Sequence, residues 1–346
     1  MDTIDLRSDT VTWPTPEMRR AMAEAEVGDD VFEDDPTVNR LQEEAARRLG
    51  KEAGLFVASG TMGNLVSVLA HCERGEEVIL GNTAHTFAYE AGGVAVVGGV
   101  YPHPVPVQPD GTLALADIRR AIRPNDPHFP RTRLIAVENP QGASGSIPLP
   151  KGYMDAVGAL AAEHGLTLHV DGARIFNAAT ALNCDAAALV EAADSVMFCL
   201  SKGLCAPVGS MVVGSQSFID KARRIRKMVG GGMRQAGVLA AAGLIALDKM
   251  THRLREDHAT ARRLAEGLAA MPQFEVDLGR VRTNMVFFSL RADAGITAPE
   301  LAERLKAHDI RILALGERQF RAVTHYWIRP EHIDQTLAAF QQELSS

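Results

Sequence analysis

Seven short apolar runs, at 55–58, 78–81, 96–101, 133–138, 167–171, 195–200 and 209–213, alternate with stretches whose apolar residues recur at helical spacing. The clearest helical stretches are 62–72, 114–122, 151–164 and 216–228. Apolar runs this short, bounded by turn residues, suit strands buried on both faces. Parallel strands need a crossover each time, and a helix is the usual one. The pattern therefore predicts an α/β chain with a seven-stranded, mostly parallel sheet sandwiched by helices. Residues 235–271 read as almost continuously helical and leave that sheet. A strand (281–290), a helix (298–308), two strands (310–315 and 321–328) and a last helix (330–344) then predict a small C-terminal α+β domain. The expected division is a large domain over 1–250, with an N-terminal arm over 1–13, and a small domain over 251–346.

Composition narrows the class. Across 346 residues, 46% are hydrophobic and 23% charged, as in an ordinary soluble enzyme. A net charge of −7 argues against nucleic acid or an anionic membrane as partner. The longest apolar run, Ala236 to Leu247, is too short to span a bilayer, and the acidic start Met1-Asp2-Thr3-Ile4-Asp5 lacks the apolar stretch of a signal peptide. The cysteines at 72, 184, 199 and 205 form no C-x-x-C pair and no H-E-x-x-H occurs. A reduced, cytoplasmic protein without a metal site is expected.

Near its N-terminus the chain has an extended polar arm, Asp5 to Thr12, and a helix opened by Pro14 and Pro16. Gly28 to Pro36 holds five acids and reads as a solvated loop, after which Thr37 is expected to cap an amphipathic helix ending at Gly50.

The chemistry gathers at strand ends. Leu168-His169-Val170-Asp171 and Ser195-Val196-Met197-Phe198-Cys199-Leu200-Ser201-Lys202 each place a polar group where a buried strand stops, which in a parallel sheet faces the ligand crevice. An acid on one end and a Ser-Lys on another are what a pyridoxal 5'-phosphate site requires. The lysine forms the Schiff base, and the carboxylate keeps the pyridine nitrogen protonated. Ala58-Ser59-Gly60-Thr61-Met62-Gly63-Asn64 follows a strand and opens a helix, so Gly60 and Thr61 can cup a phosphate at free N–H groups. Arg234, after three glycines, is a candidate for a further phosphate ligand. His85 can stack on a flat ring and titrate near neutral pH. His169, on the same strand face as Asp171, reads as packing or support. An amino-acid carboxylate needs paired donors, for which Arg174 and Arg321 are candidates, with Ser8 adding a hydroxyl.

Taken together, these residues resemble the low-specificity L-threonine aldolases among the pyridoxal phosphate enzymes of the aspartate aminotransferase fold (fold type I). The motifs are Asp5-Leu6-Arg7-Ser8-Asp9-Thr10-Val11-Thr12, Ser59-Gly60-Thr61, Tyr89-Glu90 with Gly92-Gly93, and Asp171-Gly172-Ala173-Arg174-Ile175-Phe176-Asn177-Ala178. They continue through Ser201-Lys202-Gly203-Leu204, Ala206-Pro207-Val208-Gly209-Ser210, Gly231-Gly232-Met233-Arg234-Gln235-Ala236-Gly237 and Val323-Thr324-His325. The resemblance implies that residues 1–250 bind the cofactor and that Lys202, Asp171 and His85 act on it. It further implies that Gly60, Thr61 and Arg234, the last from an adjacent subunit, hold the phosphate, and that Ser8, Arg174 and Arg321 hold the substrate carboxylate. The reaction implied is retro-aldol cleavage of L-threonine, L-allo-threonine or a related β-hydroxy-α-amino acid to glycine and an aldehyde. The family is typically a homotetramer with active sites at a dimer interface.

Two positions depart from the family pattern. Where relatives carry Glu-Asn-Thr-His-Asn, this chain has Glu138-Asn139-Pro140-Gln141-Gly142, so Gln141 would meet the substrate hydroxyl without being able to take its proton. Cys205 stands where glycine is usual and is expected to crowd the cofactor. The rival readings are a β-eliminating lyase, a transaldolase using the same glycine carbanion, and a cofactor-binding regulator without catalysis. The intact lysine and the lack of a DNA-binding domain weigh against the last.

Overall fold

The computed structural model describes residues 3–345; Met1 and Asp2, part of the acidic start, and Ser346, the end of the expected small domain, lie outside them. The strands are β1 (Ile4–Asp5), β2 (Ala53–Val57), β3 (Glu76–Gly81), β4 (Tyr101–Val105), β5 (Arg131–Glu138), β6 (Thr167–Asp171), β7 (Ser195–Cys199) and β8 (Ser210–Gly214), then β9 (Phe274–Glu275), β10 (Met285–Leu290), β11 (Ile310–Arg311), β12 (Leu313–Ala314) and β13 (Gln319–Val323). β2 to β8 form one sheet in the order β2-β8-β7-β6-β5-β3-β4. Its only antiparallel pairings are those β8 makes with β7 and β2, so the sheet is mostly parallel as expected.

Apolar layers cover both faces of this sheet. Leu41, Phe56, Ile135, Phe198 and Leu247 belong to one core, while Val66, Met197, Val212 and Phe218 belong to a cluster under the helix Gly60–His71. That helix lies unusually close to β7. A Cβ on Gly60 would come 2.9 Å from Cys199 Sγ, and one on Gly63 would come 2.5 Å from Met197 Cγ. These glycines are therefore required by helix–strand contact, not by the phosphate approach alone.

The second apolar core joins Phe274, Phe288, Phe320 and Phe340 beneath the antiparallel sheet β12-β13-β10-β9. Ile4 and Leu6 of the arm are buried in it, because β1 pairs in parallel with β11. This pairing carries the following residues, Ser8 to Thr12, over the C-terminal edge of the large sheet.

Several expectations are corrected. The strand expected at 96–101 begins at Tyr101, and Gly93–Val96 is instead a helical turn closed by Gly99 at φ +65°. β4 contains Pro102 and Pro104, which masked it as a strand, and it tolerates them because it is the sheet's edge. The 235–271 stretch, by contrast, is almost continuously helical as expected, though of mixed kinds. Gly237–Ile245 passes into a π turn at Ala246–Met250 and a 3-10 turn before the helix Leu254–Ala269 begins. Asp35, not Thr37, caps the helix Pro36–Arg48, accepting from Thr37 N and Val38 N. The acidic loop is not simply solvated either. Asp30 and Asp35 are buried, Asp30 against Arg226 at 2.8 Å and Asp35 against Gly237 N at 2.8 Å.

Candidate active site

Asp171 is the last residue of β6, in register with Glu138 of β5 and Met197 of β7. Strand ends in a parallel sheet share one edge, so three carboxylates meet there once the loop after β3 supplies Glu90. Asp171 is buried, with Ala173 N donating to Oδ1 at 3.1 Å and Asn64 Nδ2 donating to Oδ2 at 2.8 Å. Asn64 Nδ2 also donates to Glu90 Oε1 at 2.8 Å. His85 Nδ1 meets the same Glu90 oxygen at 2.8 Å, and the ring's other nitrogen has no partner among the described residues. Glu138 spans two loops, accepting from His85 N at 3.0 Å and from Gly142 N at 2.9 Å.

The electrostatics follow from this crowding. The hydrogen bond to Glu90 raises the His85 pKa above its ordinary value, with the Asp171 charge adding to it. Burial, and then the neighbouring Asp171, raise Glu138. Burial also raises Glu90, partly offset by His85 and Asn64.

Lys202 lies three residues beyond β7 in a tight turn, its carbonyl accepting from Cys205 N at 2.9 Å and from Thr12 Oγ1 at 2.9 Å. Its ammonium is close enough to act on both Asp9 and His85. Cys205 closes this turn at φ +62°, the left-handed region where glycine is at ease. The preference for glycine there has a backbone origin, and the Cys205 thiol is buried and pushed up to about 12 by desolvation.

Two guanidinium groups, Arg174 on the loop after β6 and Arg321 on β13, lie close together beside Asp9 of the arm. Arg174, just past Asp171, grips buried Asp9 with two parallel bonds, Nε to Oδ2 at 2.7 Å and Nη2 to Oδ1 at 2.6 Å. Asn284 supports the same carboxylate at 3.3 Å. Arg321, on β13, donates Nη2 to the Arg7 carbonyl at 3.1 Å, while its Nε is buried without a partner. Burial, and then repulsion from Arg174, lower the Arg321 pKa. Only Arg174 pairs directly with Asp9, so among the described residues Arg321 has no ion-pair partner.

The remaining expected residues stand as follows. Gly60 and Thr61 open the helix, and Ser59 Oγ caps it by accepting from Met62 N at 3.1 Å, leaving the first N–H groups facing outward. Arg234 is exposed and pairs with Asp29 at 3.0 Å, although its glycine-rich loop packs on Met62 beside that cap. Ser8 Oγ accepts from Thr10 N at 3.2 Å and caps the 3-10 turn that holds Asp9. Gln141 is buried with its carbonyl accepting from Ser144 N at 2.7 Å and its amide 3.4 Å from Thr83 Oγ1, so its side chain ties down its own loop. Asn64, Glu90, Glu138 and Asp9 were not singled out from the sequence. All four fall inside stretches that the sequence reading quoted, but none was given a role there.

The model of the β-eliminating lyase family matches residues 5–292. The chain belongs to this family. It is 50% identical over 349 residues to low-specificity L-threonine aldolase 1 of Arabidopsis thaliana, covering 99% of this chain and 97% of that protein. It is 46% identical over 342 residues to the low specificity L-threonine aldolase of Escherichia coli K12, covering 99% of each. Among solved structures, the Leishmania major threonine aldolase superposes with a TM-score of 0.82 at 19% identity over 99% of both chains. An SPT structure holding PLP superposes at 0.76 with 20% identity, over 99% of this chain and 88% of that one. These distant family likenesses carry the fold, and the fold agrees with the one read from the strand pattern. Among the described residues no helix is long and apolar enough to cross a membrane.

Proposed function

We propose that the chain is a pyridoxal 5'-phosphate-dependent aldehyde-lyase that cleaves L-threonine, L-allo-threonine or a related β-hydroxy-α-amino acid into glycine and an aldehyde. The observation that carries this reading is one sheet edge bearing a lysine, a buried carboxylate, a carboxylate-paired imidazole and a guanidinium, that of Arg321, with no ion-pair partner among the described residues. The donor set suits the cofactor: a strand-end Asp171 held on both oxygens, a helix N-terminus with unused N–H groups, and an amine beside them. Asp171 would hold the pyridine nitrogen, Gly60 and Thr61 the phosphate, His85 the ring face and Lys202 the aldehyde carbon. Arg234 would reach the phosphate of a neighbouring subunit in a homo-oligomer, and the enzyme would work in the cytoplasm. Bound there, pyridoxal phosphate would supply the electron sink for the charge left on Cα.

The chain's own residues do the rest. Arg321, with the remaining Nη1 of Arg174 and the Ser8 hydroxyl, binds the substrate carboxylate and fixes the orientation of the Cα–Cβ bond. His85 donates Nδ1–H to Glu90, which leaves the Nε2 lone pair to take the β-hydroxyl proton as that bond breaks. Glu138 keeps His85 in place by accepting from its backbone N–H, and Gln141 steadies the loop that supplies Gly142.

Because its pKa is raised, His85 is an imidazolium at a higher pH than a free histidine, with both nitrogens protonated. Activity that needs its lone pair is present above that pKa and lost as pH falls through it. The acid limb of kcat/KM should therefore lie above about 6.5. Glu90→Gln removes the charge that raises His85, so the limb should move to lower pH. A limb that does not move would assign proton transfer to another group.

The two arginines should fail differently. Arg321→Ala should lower kcat/KM by about ten- to a hundredfold, the worth of a charge-assisted bond, with little change in Tm. Arg174→Ala strands the buried Asp9 carboxylate and should cost about 3–5 kcal/mol of stability as well. Equal losses of Tm in the two would mean that Arg321 serves the fold and not the substrate.

The family description favours one alternative, β-elimination. Incubation with L-threonine separates the two: glycine and acetaldehyde support the aldolase reading, whereas a 2-oxo acid and ammonia overturn it.

A further inference from the structure

Behind Asp171 runs a line of buried polar side chains that the proposed chemistry does not use. Asn64 Oδ1 lies 3.3 Å from His169 Nε2, and His169 Nδ1 lies 2.8 Å from Ser195 Oγ. Ser195 Oγ in turn lies 2.7 Å from Nε2 of His71, the last residue of the helix that begins at Gly60. Asn64, His169 and Ser195 are buried, and His71 is half-buried with its ring stacked on Phe218 at 4.6 Å.

The direction of every bond in this line follows from its inner end. Asn64 Nδ2 donates to Asp171 Oδ2 and Glu90 Oε1, so the amide turns its oxygen, an acceptor, to His169. His169 Nε2 must then carry the proton. Burial holds His169 down to about 3, so the ring is neutral and Nδ1 accepts from the Ser195 hydroxyl. Ser195 has a single hydrogen, so its second contact accepts from His71 Nε2–H. His71 is itself held down to about 4 by burial and stays neutral. Donors thus run one way, from His71 through Ser195, His169 and Asn64 to the two carboxylates.

We propose that Asn64, His169 and Ser195 are positioning residues whose one-way line of donors fixes Asp171 and the Glu90–His85 pair together for the cofactor. The Asn64 amide is the junction, since one NH2 group holds both carboxylates. This rests on the reading of Asp171 as the cofactor's partner. A packing role alone would satisfy buried polar atoms and affect only stability. A positioning role also changes how the cofactor is held.

The test uses holoenzyme labelled with nitrogen-15 histidine, with His169 assigned through His169→Gln. The expected result is a single neutral tautomer with the proton on Nε2 from about pH 5 to 9, a range in which a free histidine titrates. A proton on Nδ1, or an imidazolium, overturns the proposal. Ser195→Ala removes the donor to Nδ1. It should allow a second tautomer, raise the cofactor dissociation constant about three- to tenfold and shift the bound cofactor's visible absorbance. His71→Phe, at the half-buried end, spares the interior and should give a smaller change of the same kind. An unchanged dissociation constant and spectrum in both variants, with only Tm lowered, would reduce the line to packing. Failure of the Asp171 reading looks different: Asp171→Asn would leave the cofactor spectrum unchanged while the wild-type His169 tautomer stayed as expected.

Discussion

Lys202→Ala loses turnover by on the order of 10⁴-fold or more, as removal of a covalently acting residue does. The side chain lies at the end of a turn fixed at both sides, by Cys205 N and by Thr12 Oγ1 on its own carbonyl. No other lysine is placed on this sheet edge by the contacts around Asp171. Without the amine, nothing remains to hold the cofactor's aldehyde carbon or to displace product. Borohydride treatment of the wild type should fix a pyridoxyl group on Lys202, located by peptide mass, and the variant should take up none at that position. A label on a different lysine would sink the assignment. Because Lys202 is only half-buried and makes no structural side-chain bond, Tm should change little.

Asp171→Asn should be damaging to a lesser degree and by a different route. An opposite charge within hydrogen-bonding range raises the pKa of a pyridine nitrogen, and such charges shift neighbours by about 1–3 units. Removing it should slow turnover by about ten- to a thousandfold, while cofactor binding falls far less. The amide also introduces a conflict. Asp171 accepts from Ala173 N on one oxygen and from Asn64 on the other, so an asparagine must set its NH2 against one of those donors. That mismatch should cost about 1–3 kcal/mol of stability. Turnover close to wild type, measured alongside the visible spectrum, would show that Asp171 only ties β6 to Asn64.

The division between what the sequence revealed and what it did not is a matter of range. The mostly parallel sheet was legible because each buried strand is a local apolar run and each helix has its own period. β4 was missed because Pro102 and Pro104 break that local signature, and only its place at the sheet edge makes them tolerable. The acidic loop was misread for the same reason. Asp30 and Asp35 look solvated until Arg226 and Gly237, each about 200 positions away, are folded against them.

The site divides in the same way. The placement of Asp171 and Lys202 at or just beyond strand ends was legible because a polar residue following a buried strand is visible within eight residues of chain. Asn64 was not legible. It is a polar residue within an apolar helix until it meets Glu90, 26 residues on, and Asp171, 107 residues on. Arg174 was expected at the substrate, yet two of its nitrogens serve Asp9, 165 residues earlier in the chain. That pairing exists only because β1 joins β11 in a two-stranded sheet of its own and so carries the arm across the large sheet. Sequence by itself determined which chemical groups the chain could bring to a cofactor. The tertiary structure decided which of them are free to act, since hydrogen-bond partners and desolvation depend on residues that only folding brings together.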